Sequence, residues 1–142
     1  MTGSIAFVAD VHLWNHRRCG GPVSAGINQR GQKILDALNY AADLALKKGA
    51  SSLFVAGDLF DAVNPPPQLI SRTIDALKRK NLNIFVLAGN HDRASNQPGD
   101  HALGPLASVH KFNVIETPEI VDIGDKTIAA IPFLPGHAPD YL

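Results

Sequence analysis

Three short, uninterrupted apolar runs constrain this chain more than anything else in it: Ile5-Ala6-Phe7-Val8-Ala9, Leu53-Phe54-Val55-Ala56 and Ile84-Phe85-Val86-Leu87-Ala88. Each is continuous rather than alternating, the pattern of strands buried on both faces of a parallel sheet. They are too short for buried helices, and each ends at a glycine or an acidic residue. Helical patterns lie between them. From Gln29 to Lys48, the residues Ile34, Leu35, Leu38, Ala41, Ala42 and Ala45 fall at the spacing of one buried stripe. Lys47 and Lys48 suit a helix C-terminus, and Gly49 suits the position just beyond it. A second helix is expected to start in Pro65-Pro66-Pro67, because proline is tolerated in a first turn. Its stripe is Ile70, Thr73, Ile74 and Leu77, and it ends near Lys80-Asn81. Strand, helix, strand, helix, strand implies βαβ crossovers and an α/β fold. Further on, Leu103 to Val109 reads as a short helix. Asn113-Val114-Ile115, Ile120 to Ile123 and Thr127 to Ile131 read as strands, the last two joined by a turn at Gly124-Asp125-Lys126.

The totals set outer limits. With 142 residues, 45% of them hydrophobic and 18% charged, the chain has enough apolar content for one packed domain and too much for a disordered segment. Thirteen basic residues balance thirteen acidic ones, so no global field pulls toward nucleic acid or membrane, although a local basic patch is still allowed. The single cysteine, Cys19, cannot form an internal disulfide. Met1 to Asp10 lacks the basic and long apolar regions of a signal peptide, and no apolar run approaches the roughly 18–20 residues of a membrane span. A cytosolic domain without a membrane partner is the expectation.

In open α/β sheets, sites form outside the carboxyl ends of the strands. The first run leads into Asp10-Val11-His12, and residues two apart on extended chain point the same way. Asp10 and His12 can therefore offer a carboxylate and an imidazole to one metal ion. The second run leads into Gly57-Asp58-Leu59-Phe60-Asp61, where Gly57 allows a tight turn and Asp58 can bridge two cations with its two oxygens. The third leads into Gly89-Asn90-His91-Asp92. Asn90 offers an amide oxygen. His91, adjacent to it, is better placed as a proton donor or as a donor to phosphate oxygens. Asp92 is expected to orient His91 by accepting its second N–H. Taken singly, each pair has an ordinary explanation as a turn, a cap or a polar loop. Together they put oxygen and nitrogen ligands at the mouth of all three strands, a mix that suits manganese, iron or zinc.

D-x-H, then GD-x-x-D, then GNHD, each closing such a strand, resembles the calcineurin-like metallophosphoesterase family over nearly the whole chain. The resemblance implies an α/β sandwich, of which residues 1–142 would form the N-terminal βαβαβ half plus further strands. It implies two divalent metal ions, manganese first with iron, zinc or magnesium as alternatives, that hydrolyse phosphoesters through an activated water. Asp10 and His12 would bind the first metal, Asp58 would bridge, Asn90 would bind the second, and His91 would act catalytically on the leaving group or the transition-state charge. Asp61 would lie near the site. Gly57-Asp58-Leu59-Phe60-Asp61 with prolines soon after, Asp10-Val11-His12-Leu13 and Ile131-Pro132-Phe133 resemble the SbcD-type DNA exonuclease subunit. This implies DNA as substrate, an SbcC-type ATPase partner, a homodimer, and a place in DNA repair or phage DNA metabolism.

The family pattern continues with a further His and a late G-H-x-H. Here Gly136-His137 is followed by Ala138-Pro139, so the second His is absent. His101 and His110 are spare. The expectation is a metallophosphoesterase domain truncated at its C-terminus, the Asp140-Tyr141-Leu142 ending having no closing strand. A small-molecule or phosphoprotein phosphodiesterase on the same chemistry is one alternative, and a non-catalytic fragment or binding module is another. The long segment Leu13 to Asn28 flanks the first ligand pair. In it Arg17 and Arg18 are candidate substrate-binding residues for phosphates, Trp14 either stacks on a base or packs over the sheet, and His16 is solvated or near substrate. Lys78-Arg79-Lys80 reads as a solvated helix end.

Overall fold

The computed structural model describes residues 3–134. Gly136-His137 and the Asp140-Tyr141-Leu142 ending lie outside the described residues.

The apolar runs form strands β1 (Ser4–Val8), β4 (Ala50–Ala56) and β5 (Asn83–Leu87), and β6 (Phe112–Ile115) joins them in one parallel sheet of order β1-β4-β5-β6. The first crossover contains a small antiparallel ribbon, β2 (Val23–Ser24) with β3 (Ile27–Asn28), inside what the sequence presents as an unbroken loop. Its two-residue turn is Ala25-Gly26, both at positive φ (50° and 79°), the geometry that matches the twist of a tight hairpin.

Helix α1 spans Gln29–Lys47. Its N-cap, Asn28, accepts a hydrogen bond from the Gly31 amide at 2.8 Å, and Gly49 takes φ 79° just beyond the end. Leu35, Leu38, Ala42 and Ala45 are buried, which is most of the expected stripe. Helix α2 (Pro67–Lys78) starts in the proline run and buries Leu69, Thr73 and Leu77. It stops slightly before the expected Lys80. The Thr73 hydroxyl donates to the Leu69 carbonyl at 2.8 Å, which satisfies its buried polar atom. A single turn, α3 (Gly104–Ala107), precedes β6.

Strand alternation sorts the sheet into two faces. Leu53, Val55, Ile84 and Val86 pack toward the helices with Leu35, Leu38, Leu69 and Leu77. Phe54, Phe85, Leu87 and Ile115 face the other way, against an antiparallel hairpin of β7 (Glu119–Ile123) and β8 (Lys126–Ala130). Gly124-Asp125 alone makes that turn, since Lys126 already pairs with Ile123. Helices, sheet and hairpin thus form three layers.

The expectation that all three runs are buried on both faces fails for β1. It pairs only with β4, and Phe7 is 60% exposed while stacking on Phe54 (ring centroids 5.3 Å). An edge strand has one neighbour, and among the described residues Ile5 alone of β1 packs into the cluster that the hairpin covers.

Candidate metal centre

The parallel pairing of β1 and β4 continues past the strands into the loops that carry the polar residues. The His12 amide donates to the Asp58 carbonyl and the Leu13 amide to the Leu59 carbonyl, both at 2.9 Å, and Leu13 bridges Phe60. This main-chain zipper fixes the first loop against the second. Asp10, His12 and Asp58 all adopt positive φ (52°, 47° and 52°), as does Gly57 (87°). Such conformations are uncommon outside glycine and concentrate at functional sites. The third loop is fitted by size. A Cβ on Gly89 would lie 2.1 Å from Asp58 Oδ1, so only glycine leaves room for that carboxylate.

Asp58 is buried. Its Oδ1 accepts from the His91 amide at 2.9 Å, and its Oδ2 faces His12 Nε2 at 3.9 Å. Ligand-type atoms of His12, Asp58 and His91 lie within 4.8 Å of one another, and the two imidazoles meet edge to face at 4.7 Å. Asn90 is exposed and shares a cleft of about 160 Å³ with Gly57, Asp58 and Gly89. Asp10 is exposed at the end of β1, outside the three-residue cluster. Arg17 and Arg18 are exposed on the following loop, where the Arg18 carbonyl accepts from Arg30. Trp14 is half-buried.

Asp61 is more central than its sequence position suggested, because each of its three oxygens faces a different imidazole. Its carbonyl lies 3.0 Å from His91 Nδ1. A carbonyl only accepts, so Nδ1 carries the proton and His91 Nε2 is left as the free nitrogen. Asp61 Oδ1 is 2.9 Å from His12 Nδ1, but the approach is off the N–H direction and this buried nitrogen makes no hydrogen bond among the described residues. Asp61 Oδ2 is 3.9 Å from Nδ1 of His16, whose Nε2 donates to the His12 carbonyl at 3.1 Å. His16 is thus half-buried beside the cluster rather than solvated. The spacing D-x-x-D signalled Asp61, but nothing in the sequence indicated that it would gather three histidines. The Asp61 carbonyl, chiefly, holds the His91 imidazolium to higher pH than usual. Burial opposes this, and the carboxylates of Asp58, Asp61 and Asp92 add to it.

The expected role of Asp92 needs correction. Its side chain does not reach the His91 ring. It is fully buried, and it accepts from the Phe60 amide at 3.0 Å and the Gly89 amide at 2.9 Å. Consecutive residues in the turn point apart, so His91 faces the rim while Asp92 faces inward and ties the second loop to the third. Burial raises its pKa, and the amide hydrogen bonds work in the opposite direction.

The spare histidines also separate. His101 donates from Nε2 to Glu116 at 3.1 Å and accepts from the Leu103 amide at Nδ1, also 3.1 Å, so neither nitrogen is left for a metal. His110 is exposed, well along the chain from the strand mouths.

The donor set fits a divalent cation. His12 Nε2 and Asp58 Oδ2 face each other across 3.9 Å, a gap that an ion at roughly 2.0–2.2 Å from each atom fills. Imidazole, carboxylate and amide donors without thiolate match a borderline or hard ion.

The sequence profile of the family described as Calcineurin-like phosphoesterase matches residues 3–141. The DNA double-strand break repair protein Mre11 of Archaeoglobus fulgidus is 29% identical over 113 residues, covering 78% of this chain and 24% of that protein. Its counterpart in Sulfurisphaera tokodaii is 26% identical over 145 residues, covering 97% of this chain and 35% of that protein. Among solved structures, Pseudomonas putida nuclease MPE is similar, with a TM-score of 0.49 and 25% identity over 83% of this chain and 50% of that one. The chain spans about a quarter to a third of the length of these curated relatives.

Proposed function

This chain belongs to the calcineurin-like phosphoesterase family, and from that premise we propose that it carries the catalytic residues of a metal-dependent nuclease that hydrolyses DNA phosphodiesters. The observation that carries the reading is the convergence of His12, Asp58 and His91 within 4.8 Å at the mouths of adjacent parallel strands. The named relatives are DNA double-strand break repair proteins, which favours DNA over a small-molecule or phosphoprotein substrate.

Asp10 and His12 would hold one divalent cation, Asp58 would bridge to a second, and Asn90 would complete the second ion's share of this chain. When bound, the cations supply activated water and neutralise charge on the scissile phosphate. The protein's own residues do the rest. Asp58 keeps one oxygen on the His91 amide and presents the other to the cleft. His91, with Nδ1 committed to the Asp61 carbonyl, presents Nε2 outward, where it can hold a proton for the departing oxygen. Arg17 and Arg18, exposed on the loop that follows His12, would hold backbone phosphates. Residues 1–142 would be the N-terminal part of a longer nuclease that dimerises and works with an SbcC-type ATPase. Manganese is the preferred ion.

The test pairs calorimetric titration of this chain with manganese against cleavage of linear duplex DNA in the same buffer. Saturable manganese binding with manganese-dependent cleavage supports the reading. Turnover of nucleotide or phosphoprotein substrates with intact DNA would move the assignment to a phosphodiesterase. Neither binding nor cleavage, from folded protein, would leave a non-catalytic module.

A further inference from the structure

The fourth strand, β6, also ends in an acidic residue, Glu116, but its carboxylate is used differently. It turns toward the segment that continues from Asn90-His91-Asp92. That segment runs out through Arg93, loops through exposed residues 94–100, and returns through His101 and Ala102. Its two legs pair: Arg93 bridges His101, the Ala94 amide donates to the Asp100 carbonyl at 3.0 Å, and the Ala102 amide donates to the Asp92 carbonyl at 2.8 Å. Glu116 binds both legs. Its carbonyl accepts from the Arg93 guanidinium on the outgoing leg. Its Oε2 accepts from the Gly99 amide at 2.7 Å and from His101 Nε2 at 3.1 Å on the return.

These bonds have few substitutes. His101 Nδ1 is already occupied by the Leu103 amide, which leaves Nε2–H as a donor that needs an acceptor in a side chain only 4% exposed. Arg93 is buried, and its Nε has no hydrogen-bond partner among the described residues, so the Glu116 carbonyl carries much of its satisfaction. The Asn90-His91 corner itself is held from the strand side by Asp58 and from inside by Asp92. Its outer side continues directly into the clamped hairpin.

We propose that Glu116 is a positioning residue for His91: by clamping both legs of the 93–101 hairpin it holds the Asn90-His91 corner against Asp58 and Asp61. The inference rests on the nuclease reading for its catalytic consequence, but its structural half stands apart from it. His91 bonds the loop between β4 and α2 twice, through its amide to Asp58 and through Nδ1 to the Asp61 carbonyl. Any drift of the corner is therefore read first at those two bonds.

The experiment compares wild type with Glu116→Ala and Glu116→Gln. Ala removes the carboxylate's bonds to Gly99 and His101 and leaves the main-chain bond to Arg93, whereas Gln keeps an oxygen that can accept from Gly99 or His101. Amide exchange and His91 ring signals are followed by NMR without metal, and kcat and KM are measured on linear DNA with manganese. In Glu116→Ala, exchange at Ala94, Gly99, Ala102 and the His91 amide is expected to rise about ten-fold or more. The His91 ring resonances should shift, and kcat should fall about ten-fold with KM changing less than about two-fold. Gln is expected to recover most of each change. If the Ala variant does not fold, His101→Gln takes its place, with smaller shifts expected in the same signals. Loosened exchange at Gly99 with His91 signals and kcat at wild-type values would overturn the positioning role, as would unchanged exchange throughout. Wild-type protein inactive on DNA would count against the nuclease reading alone, because the metal-free His91 signals still decide whether Glu116 positions the corner.

Discussion

Two clusters at the same rim of the sheet pair imidazole with carboxylate, and they have opposite characters. At the mouths of β1, β4 and β5, His12 and Asp58 face each other at 3.9 Å, and His91 keeps one ring nitrogen free of partners among the described residues. At the mouth of β6, His101 and Glu116 are in contact at 3.1 Å, and both nitrogens of His101 are occupied. The first arrangement leaves lone pairs converging on a gap of ion size, whereas the second consumes them. Residue type does not distinguish the two. What distinguishes them is whether the surrounding backbone has already satisfied the ring.

The sharpest way to break the comparison is Asp58→Asn. Asparagine keeps an oxygen for the His91 amide but loses the charge, so the fold should hold at an unchanged Tm. Manganese-dependent DNA cleavage should fall by about 10³-fold or more. Retained activity would remove Asp58 from the centre. The paired variants His12→Gln and His101→Gln test the contrast directly. His12→Gln is expected to weaken manganese binding at least about 100-fold by calorimetry. His101→Gln should change affinity by less than about three-fold, through the Asn90-His91 corner alone, and cost about 1–2 kcal/mol in urea denaturation. Equal effects on affinity would erase the distinction drawn here.

Asp92→Ala probes the framework that keeps the first cluster open. It strands two buried amides, Gly89 and Phe60, and should cost about 2–4 kcal/mol of stability by urea denaturation. A loss under about 0.5 kcal/mol would show that water replaces the carboxylate there.

The smallest effect is in pH. In metal-free protein the His91 midpoint should lie above the ordinary 6.5, because the Asp61 carbonyl favours the imidazolium. A raised folded pKa means that this contribution is fully present below about 6.5 and is lost as pH rises through the folded value. An NMR titration giving a midpoint at or below 6.5 would contradict the Asp61 contact.

Much of this was legible in the sequence, for identifiable reasons. Continuous apolar runs gave the central strands because β4 and β5 are flanked on both sides, and Leu53, Phe54 and Val55 are buried whichever face they take. The same signal misjudged β1, since a run of apolar residues does not encode whether a strand ends up at an edge. Asp58, His12 and His91 stood out as candidates in the sequence because each lies within four residues of the end of a strand. Asp61 was underestimated because its importance comes from a carbonyl and two carboxylate oxygens aimed by a turn, which no residue identity reveals. Asp92 was assigned the wrong partner because adjacency in sequence suggested contact with His91, whereas the turn sends the two side chains apart. His101 could not be ranked from the sequence because its exclusion depends on Leu103 and Glu116.

Gly89 carries a consequence for anyone reading this protein through its variants. It has no side chain and performs no chemistry, yet a single methyl group there would collide with the Asp58 carboxylate at 2.1 Å. The same methyl group would also meet the Asp58 backbone nitrogen at 2.3 Å, and a main chain cannot swing aside as a side chain can. A mutational survey scored only on activity would rank Gly89 beside Asp58 and His12. A survey scored on abundance would rank it high as well, because two loops there pass too close for any side chain.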